Sequence, residues 1–325
     1  MAELDPQAKA VLERVDESVL PSTPGLSVES GRTSLEEFFT TEEIEPVGTI
    51  SEFSVPGPAS DIPLRVYVPD SDGPHPALLY YHGGGWVRGS LDTHDNVCRT
   101  LCNSADCIVV SVDYRRAPES PFPAAVEDAY AAAKWVMHHG AEIGVDTDHI
   151  AVGGDSAGGQ LTASVTLLAR DEGAGFIGGS GNPDTGLELD HQVLIYPAVA
   201  SPLVHTFDSY EENGHGYFLE HESMQWYYDQ YLSHFTDARN EYAAPLLADD
   251  FTELPSATVL TCGFDPLHDE GVAYADRLET AGVSVMHREY ERQIHGFINL
   301  IDDIDAASDA LAAIASDLRD SFASR

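Results

Sequence analysis

Short apolar runs and longer amphipathic stretches take turns along most of this chain. Apolar runs at residues 108–112, 150–152, 193–196, 258–262 and 283–290 have the length of strands buried in a sheet. Between them, residues 124–138, the stretch after Ser156, and residues 222–232, 272–281 and 306–323 read as helices. That alternation predicts an α/β fold with a mainly parallel central sheet and helices on both faces. Upstream, residues 77–81 form another apolar strand, and Ile62, Leu64, Val66 and Val68 alternate with Pro63, Arg65 and Tyr67 as in a half-buried one. Leu4, Ala8, Val11, Leu12, Val15 and Val19 recur at helical spacing, and Pro21 and Pro24-Gly25 end that first helix. Ser34-Leu35-Glu36-Glu37 has the pattern of a capping box and predicts a short second helix carrying Phe38 and Phe39. Residues 171–190, rich in Gly, Asp, Pro and Asn, read as a surface loop.

With 325 residues, 43% of them hydrophobic, the chain can bury a sizeable core. No repeat or clean linker divides it. Charge changes the picture more: 16 basic residues face 55 acidic ones, for a net −39, and only Lys9 and Lys134 are lysines. The acids are spread over the whole chain, which makes nucleic acid and anionic membrane surfaces poor partners; no nucleic-acid partner is expected. Such self-repulsion suits very high salt, where it is screened within a few ångströms. Cys98, Cys102, Cys107 and Cys262 form no C-x-x-C pair and are expected as reduced apolar residues, the first two on one helix face. The first residues lack the basic and apolar regions of a signal peptide, and no apolar run approaches membrane-spanning length. The expectation is a soluble, cytoplasmic protein without stable membrane insertion.

Candidate chemistry centres on Gly154-Asp155-Ser156-Ala157-Gly158, a G-x-S-x-G placed between a strand and a helix. Small flanking residues let a serine sit on a strained turn, with a helix N-terminus beneath it to favour a developing anion. Serine needs a base, and the base needs an orienting acid. Asp265 and His295 both fall just past strands, at the sheet end where such groups gather, and the order Ser156, Asp265, His295 is that of α/β-hydrolases. His268 and His287 read as surface or structural residues, and Asp269 and Glu270 as caps or dipole partners of the next helix. Asp155 should point away from the base. His82-Gly83-Gly84-Gly85-Trp86 follows a strand and offers unobstructed N–H groups; with Ala157 N–H they suit an oxyanion hole, and His82 reads as support for that loop.

These motifs resemble the hormone-sensitive-lipase-like family of α/β-hydrolase carboxylesterases, in its GDSAG branch. The likeness rests on Tyr80-Tyr81-His82-Gly83-Gly84-Gly85-Trp86, Asp113-Tyr114-Arg115, Ala117-Pro118-Glu119, Pro121-Phe122-Pro123, Gly154-Asp155-Ser156-Ala157-Gly158-Gly159, Asp265-Pro266-Leu267 and His295-Gly296-Phe297. The resemblance implies an α/β-hydrolase fold, a Ser156–His295–Asp265 triad and an oxyanion hole from Gly84, Gly85 and Ala157 with Gly83 close by. It also implies a helical cap from residues 1–45 and an excursion at about 202–232 on a catalytic domain of residues 46–325. Phe38, Phe39, Tyr217, Phe218, Trp226 and Tyr227 are candidates for the cap's lining of an acyl pocket, with ordinary core packing as the other reading. Arg116 and Gln160 stand where the family usually has Leu and Asn. The acid excess is not a family trait; it resembles haloarchaeal proteins.

The expected function is a serine carboxylesterase for short-chain esters, adapted to high salt, with no metal and no organic cofactor. Its partner is a small-molecule ester, and an oligomer is left open. The alternatives are a non-catalytic small-molecule receptor on the same fold and an amidase or deacetylase, which shares the acyl-transfer chemistry.

Overall fold

The computed structural model describes residues 3–17, 23–41, 44–173 and 186–324. Eight strands form one sheet in the order β1-β2-β4-β3-β5-β6-β7-β8. They are β1 (Thr49–Val55), β2 (Ile62–Val68), β3 (His75–Tyr81), β4 (Ile108–Val112), β5 (Val145–Asp155), β6 (His191–Ile195), β7 (Ser256–Phe264) and β8 (Val285–Ile294). Strands β1, β2 and β4 pair antiparallel in turn. From β4 through β3, β5, β6 and β7 to β8 every pairing is parallel.

Nine helices are described: α1 (Pro6–Glu17), α2 (Val28–Phe39), α3 (Asp95–Ala105), α4 (Ala124–His139), α5 (Ala157–Gly173), α6 (Asp208–Glu212), α7 (His221–Tyr231), α8 (His268–Thr280) and α9 (Asp305–Phe322). Alternation along β3 sorts the layers. Ala77, Leu79 and Tyr81 join α4 and α5 in one apolar cluster, while Leu78 and Tyr80 join α3 and α9 in another. A third cluster packs α5 and α8 on β6 and β7. The sheet is thus covered on both faces, as the parallel pairing requires. Cys98, Cys102, Cys107 and Cys262 are free and buried. Among the described residues no helix is long and apolar enough to cross a membrane.

Several boundaries differ from the sequence reading. Strand β1 has no counterpart there: most of its residues are exposed, so its apolar positions do not alternate cleanly. Helix α2 begins six residues before Ser34. Its cap is Ser27, whose hydroxyl accepts the Ser30 N–H at 3.1 Å, so the Ser34-Leu35-Glu36-Glu37 box lies inside the helix. Strand β8 runs on to Ile294, so His295 leaves the strand directly instead of sitting within a loop. Val19 and Pro21 of the expected first helix lie outside the described residues. So do residues 174–185 of the expected surface loop, whereas residues 171–173 end α5.

Candidate active site

Strand β5 ends on Asp155 and α5 starts on Ala157, leaving Ser156 as the single residue of a sharp turn. Its φ is 56°, a left-handed conformation that a residue with a side chain adopts only under strain. The surroundings hold it there. Ser156 N–H donates to Ile195 O at 2.8 Å, and Ser156 O accepts from Gln160 and Ala198 N–H. A Cβ on Gly158 would come within 1.8 Å of Tyr81 O, and one on Gly154 within 2.3 Å of the same atom. Both flanking glycines are needed because β3 passes directly behind the turn.

His295 follows β8, and its Nε2 lies 2.9 Å from Ser156 Oγ. On the other edge of the ring, Nδ1–H donates to Asp265 Oδ2 at 2.7 Å. Asp265, one residue past β7, is fully buried, and its second oxygen accepts Leu267 N–H at 2.8 Å. Both carboxylate oxygens therefore receive donors, which fixes its plane and with it the tautomer and tilt of the imidazole. Tyr196 packs its ring 4.5 Å from the His295 ring. Ser156, Asp265 and His295, far apart in sequence, meet in one hydrogen-bonded line.

The glycine run after β3 faces the same point. Gly84 and Gly85 have φ of 112° and 61°, and the Gly84 carbonyl accepts the Val87 and Arg88 N–H groups, which folds the loop back on itself. Gly84, Gly85 and Ala157 line the cavity at Ser156, and among the described residues nothing accepts their N–H groups. Gly83 differs from expectation. Its N–H donates to Asp155 Oδ1 at 2.9 Å, so it anchors the loop and is not a free donor.

Asp155 points away from His295's ring edge, toward β3. It accepts from Tyr80 Oη at 2.9 Å, Gly83 N at 2.9 Å and His94 Nε2 at 3.0 Å. Burial raises its pKa, but the His94 imidazole and the hydrogen bonds from His94 and Tyr80 outweigh that and hold the carboxyl below the usual range. His94 had no motif to reveal it; only the fold brings it beneath the serine. His82 is fully buried, its pKa pushed down to about 3 by burial and then by His94, so it stays neutral. Its ring stacks on Tyr114 at 4.3 Å and its Nδ1 bonds Gly83 O at 2.8 Å, a support for the loop.

The other rivals to the triad are elsewhere. His287 bonds Thr261 Oγ1, and His268 pairs with Asp269 and Glu289. Asp269 and Glu270 do occupy the first turn of α8, but neither caps it. Asp269 accepts Ser209 N–H at 2.9 Å. Glu270 is fully buried against Ala200 N–H at 3.0 Å and Tyr210 Oη, and burial pushes its carboxyl up to about 8. Gln160 receives Trp86 Nε1–H at 2.7 Å and donates to Ser164 and Tyr242 O, and Arg116 donates to Gly89 O. Both departures from the family pattern thus brace the glycine loop.

Ser156 opens into a cavity of about 570 Å³, the size of a small-molecule site, with α1, α2 and residues 216–228 over it. Phe38, Phe39, Tyr217, Phe218 and Tyr227 line it. Trp226 does not; it packs edge-to-face on Tyr227 with centroids 5.3 Å apart. Among the described residues no group of His, Cys, Asp or Glu side chains could hold a metal ion.

A family model described as alpha/beta hydrolase fold matches residues 78–299. Carboxylic ester hydrolase LipN of Mycobacterium tuberculosis is 45% identical over 253 residues, 77% of this chain and 65%, just under two thirds, of LipN. Carboxylesterase NlhH of the same species is 37% identical over 95% of this chain and 93% of its own. The hyperthermophilic esterase of the archaeon Pyrobaculum calidifontis superposes with a TM-score of 0.89 at 40% identity, covering 98% of this chain and 99% of that one.

Proposed function

The chain belongs to the α/β-hydrolase family and is a carboxylic ester hydrolase, and we propose that it works through a covalent acyl-enzyme on Ser156 with short-chain esters as substrates. The observation that carries this reading is the unbroken line from Asp265 through His295 to Ser156 Oγ beside three unoccupied N–H groups. His295 Nε2 takes the hydroxyl proton as Ser156 Oγ attacks the ester carbonyl. The carbonyl oxygen, now an anion, is held by the N–H groups of Gly84, Gly85 and Ala157, each typically worth about 3 kcal/mol in the transition state. His295 returns the proton to the departing alcohol. Water, deprotonated by the same nitrogen, then attacks the acyl-serine; as the acyl–oxygen bond breaks His295 returns that proton to Ser156 Oγ, and the carboxylic acid leaves and ionises in solvent. Asp265 keeps Nδ1 protonated throughout and faces the imidazolium while it exists.

Within this reading the described residues of segments 1–45 and 202–232 form the cap, since α1, α2 and α7 supply the apolar wall above Ser156. A receptor would have no use for the strained serine and its base, so the intact line argues against a purely binding role. We also propose adaptation to high salt, from the net charge of −39.

The test is hydrolysis of 4-nitrophenyl esters from acetate to long acyl chains in molar salt, with Ser156→Ala alongside. Turnover confined to the shorter chains and absent in the variant is expected. Full turnover by Ser156→Ala overturns the mechanism, and preference for the longest chains overturns the substrate class. Dilution into low salt should lower both activity and melting temperature; a protein equally stable and active there refutes the salt adaptation.

A further inference from the structure

Arg88 is the only buried arginine among the described residues, 6% exposed, and it lines the cavity at Ser156. No carboxylate among the described residues pairs with it, in a chain holding 55 acidic residues against 16 basic ones. Among the described residues its buried Nε has no hydrogen-bond partner, and the one hydrogen bond from its side-chain nitrogens is a long one, from Nη2 to Thr23 O at 3.4 Å. Most other arginines here are paired: Arg65 has Glu52, Asp92 and Asp95, Arg115 has Asp128, and Arg288 has Asp317.

The site around it is built. The guanidinium lies against Gly31 of α2, where a Cβ would come within 2.7 Å of Nε, and faces the rings of Trp226 and Tyr227 at 5.6 Å. Gly31 is the residue that makes room for the side chain. The backbone N–H of Arg88 closes on Gly84 O at 2.8 Å, so the cation is tied to the same loop as two of the oxyanion donors. Three carboxylates belong to the lining, Asp16, Asp155 and Glu220, and none makes an ion pair with it; Asp155 is held by His94. Aromatic faces offset part of the cost of burying a cation, but they leave N–H donors unsatisfied, and a planar guanidinium with open donors is a receptor for a planar oxyanion.

We propose that Arg88 binds a carboxylate carried by the substrate, so that the preferred esters are anionic ones, with the charge remote from the scissile carbonyl. This rests on the esterase reading and names its substrate class. In a protein so strongly acidic, one sheltered cation at the reactive centre also selects between anions that the rest of the surface repels alike.

Two matched pairs test it at constant, molar ionic strength: 4-acetoxybenzoate against its methyl ester, and 4-nitrophenyl hydrogen adipate against 4-nitrophenyl methyl adipate. The quantity read is the ratio of kcat/KM, anionic over neutral, in wild type, Arg88→Lys and Arg88→Met. We expect that ratio to fall at least tenfold in Arg88→Met for one pair or both, with Arg88→Lys retaining part of it. A ratio unchanged within twofold in both pairs overturns the proposal and leaves Arg88 as a strut between α2 and α7, which would affect both members of a pair alike. Should Arg88→Met fail to fold, wild type decides: adipate must inhibit neutral-ester hydrolysis competitively at least tenfold better than adipamide, and equal inhibition overturns the proposal. Absence of turnover of the neutral esters by wild type would instead strike the esterase reading itself.

Discussion

Replacing Asp265 by Asn changes one atom in a site with no exposure to solvent, and the hydrogen bonds dictate the outcome. In the native site both oxygens accept, one from Leu267 N–H at 2.8 Å and the other from His295 Nδ1–H at 2.7 Å. Asparagine has a single oxygen. If that oxygen stays on Leu267 N–H, the amide NH2 faces His295 and Nδ1 must become an acceptor. The ring proton then moves to Nε2, the atom 2.9 Å from Ser156 Oγ, and the base can no longer take the serine proton. If the amide turns over, two donors face each other at Leu267, which costs about 1–3 kcal/mol for a buried unsatisfied group. The wrong tautomer is therefore the favoured one. Loss of the correct tautomer in such a triad costs about 10⁴ in kcat, or roughly 5 kcal/mol of transition-state stabilisation. The assay is kcat on a short 4-nitrophenyl ester in molar salt, with the fold checked by circular dichroism. A kcat within tenfold of wild type, in folded protein, would refute the assignment of Asp265 as the orienting acid.

Two further substitutions probe the frame and its titration. Gly158→Ala puts a Cβ 1.8 Å from Tyr81 O and 2.9 Å from His82 O, both backbone atoms that cannot swing aside. The expected result is a melting temperature lower by roughly 5 °C or more and no ester turnover; a shift of about 1 °C or less would mean that β3 yields. Glu270 holds its proton in the fold up to about pH 8, whereas the unfolded carboxyl loses it near 4.5. The native state thus binds the extra proton across that window, and stability from this group falls as pH rises through it. A glutamine at this position keeps an acceptor for Ala200 N–H without the titration, so Glu270→Gln should flatten the decline in melting temperature between pH 5 and about 8, the difference from wild type growing with pH. Parallel curves for the two proteins would contradict the burial assigned to Glu270.

The sheet is largely legible in the sequence because buried parallel strands are short apolar runs: residues 108–112 coincide with β4, and 150–152 mark the buried middle of β5. Strand β1 escapes because an edge strand with one solvated face has little hydrophobic pattern to show. The start of α2 escapes because Gly31 in its interior reads as a breaker, and only the packed guanidinium of Arg88 explains why glycine is there. Chain order and strand-end positions bring Ser156, Asp265 and His295 forward together. What cannot be read is which N–H of the glycine run is free. That depends on where the Asp155 side chain points, and the fold turns it onto Gly83. Glu270 likewise reads as a dipole partner, since nothing local shows that Tyr210 and Ala200 close over it.

The central claim is a covalent acyl-enzyme on Ser156, and a single measurement addresses it: reaction with a 4-nitrophenyl alkylphosphonate in molar salt, followed by peptide mass mapping. The account predicts release of one nitrophenolate per chain, loss of esterase activity in step with it, and the phosphonyl mass on the peptide bearing Ser156 alone. Full labelling at another residue, or esterase activity that survives stoichiometric modification of Ser156, would contradict it.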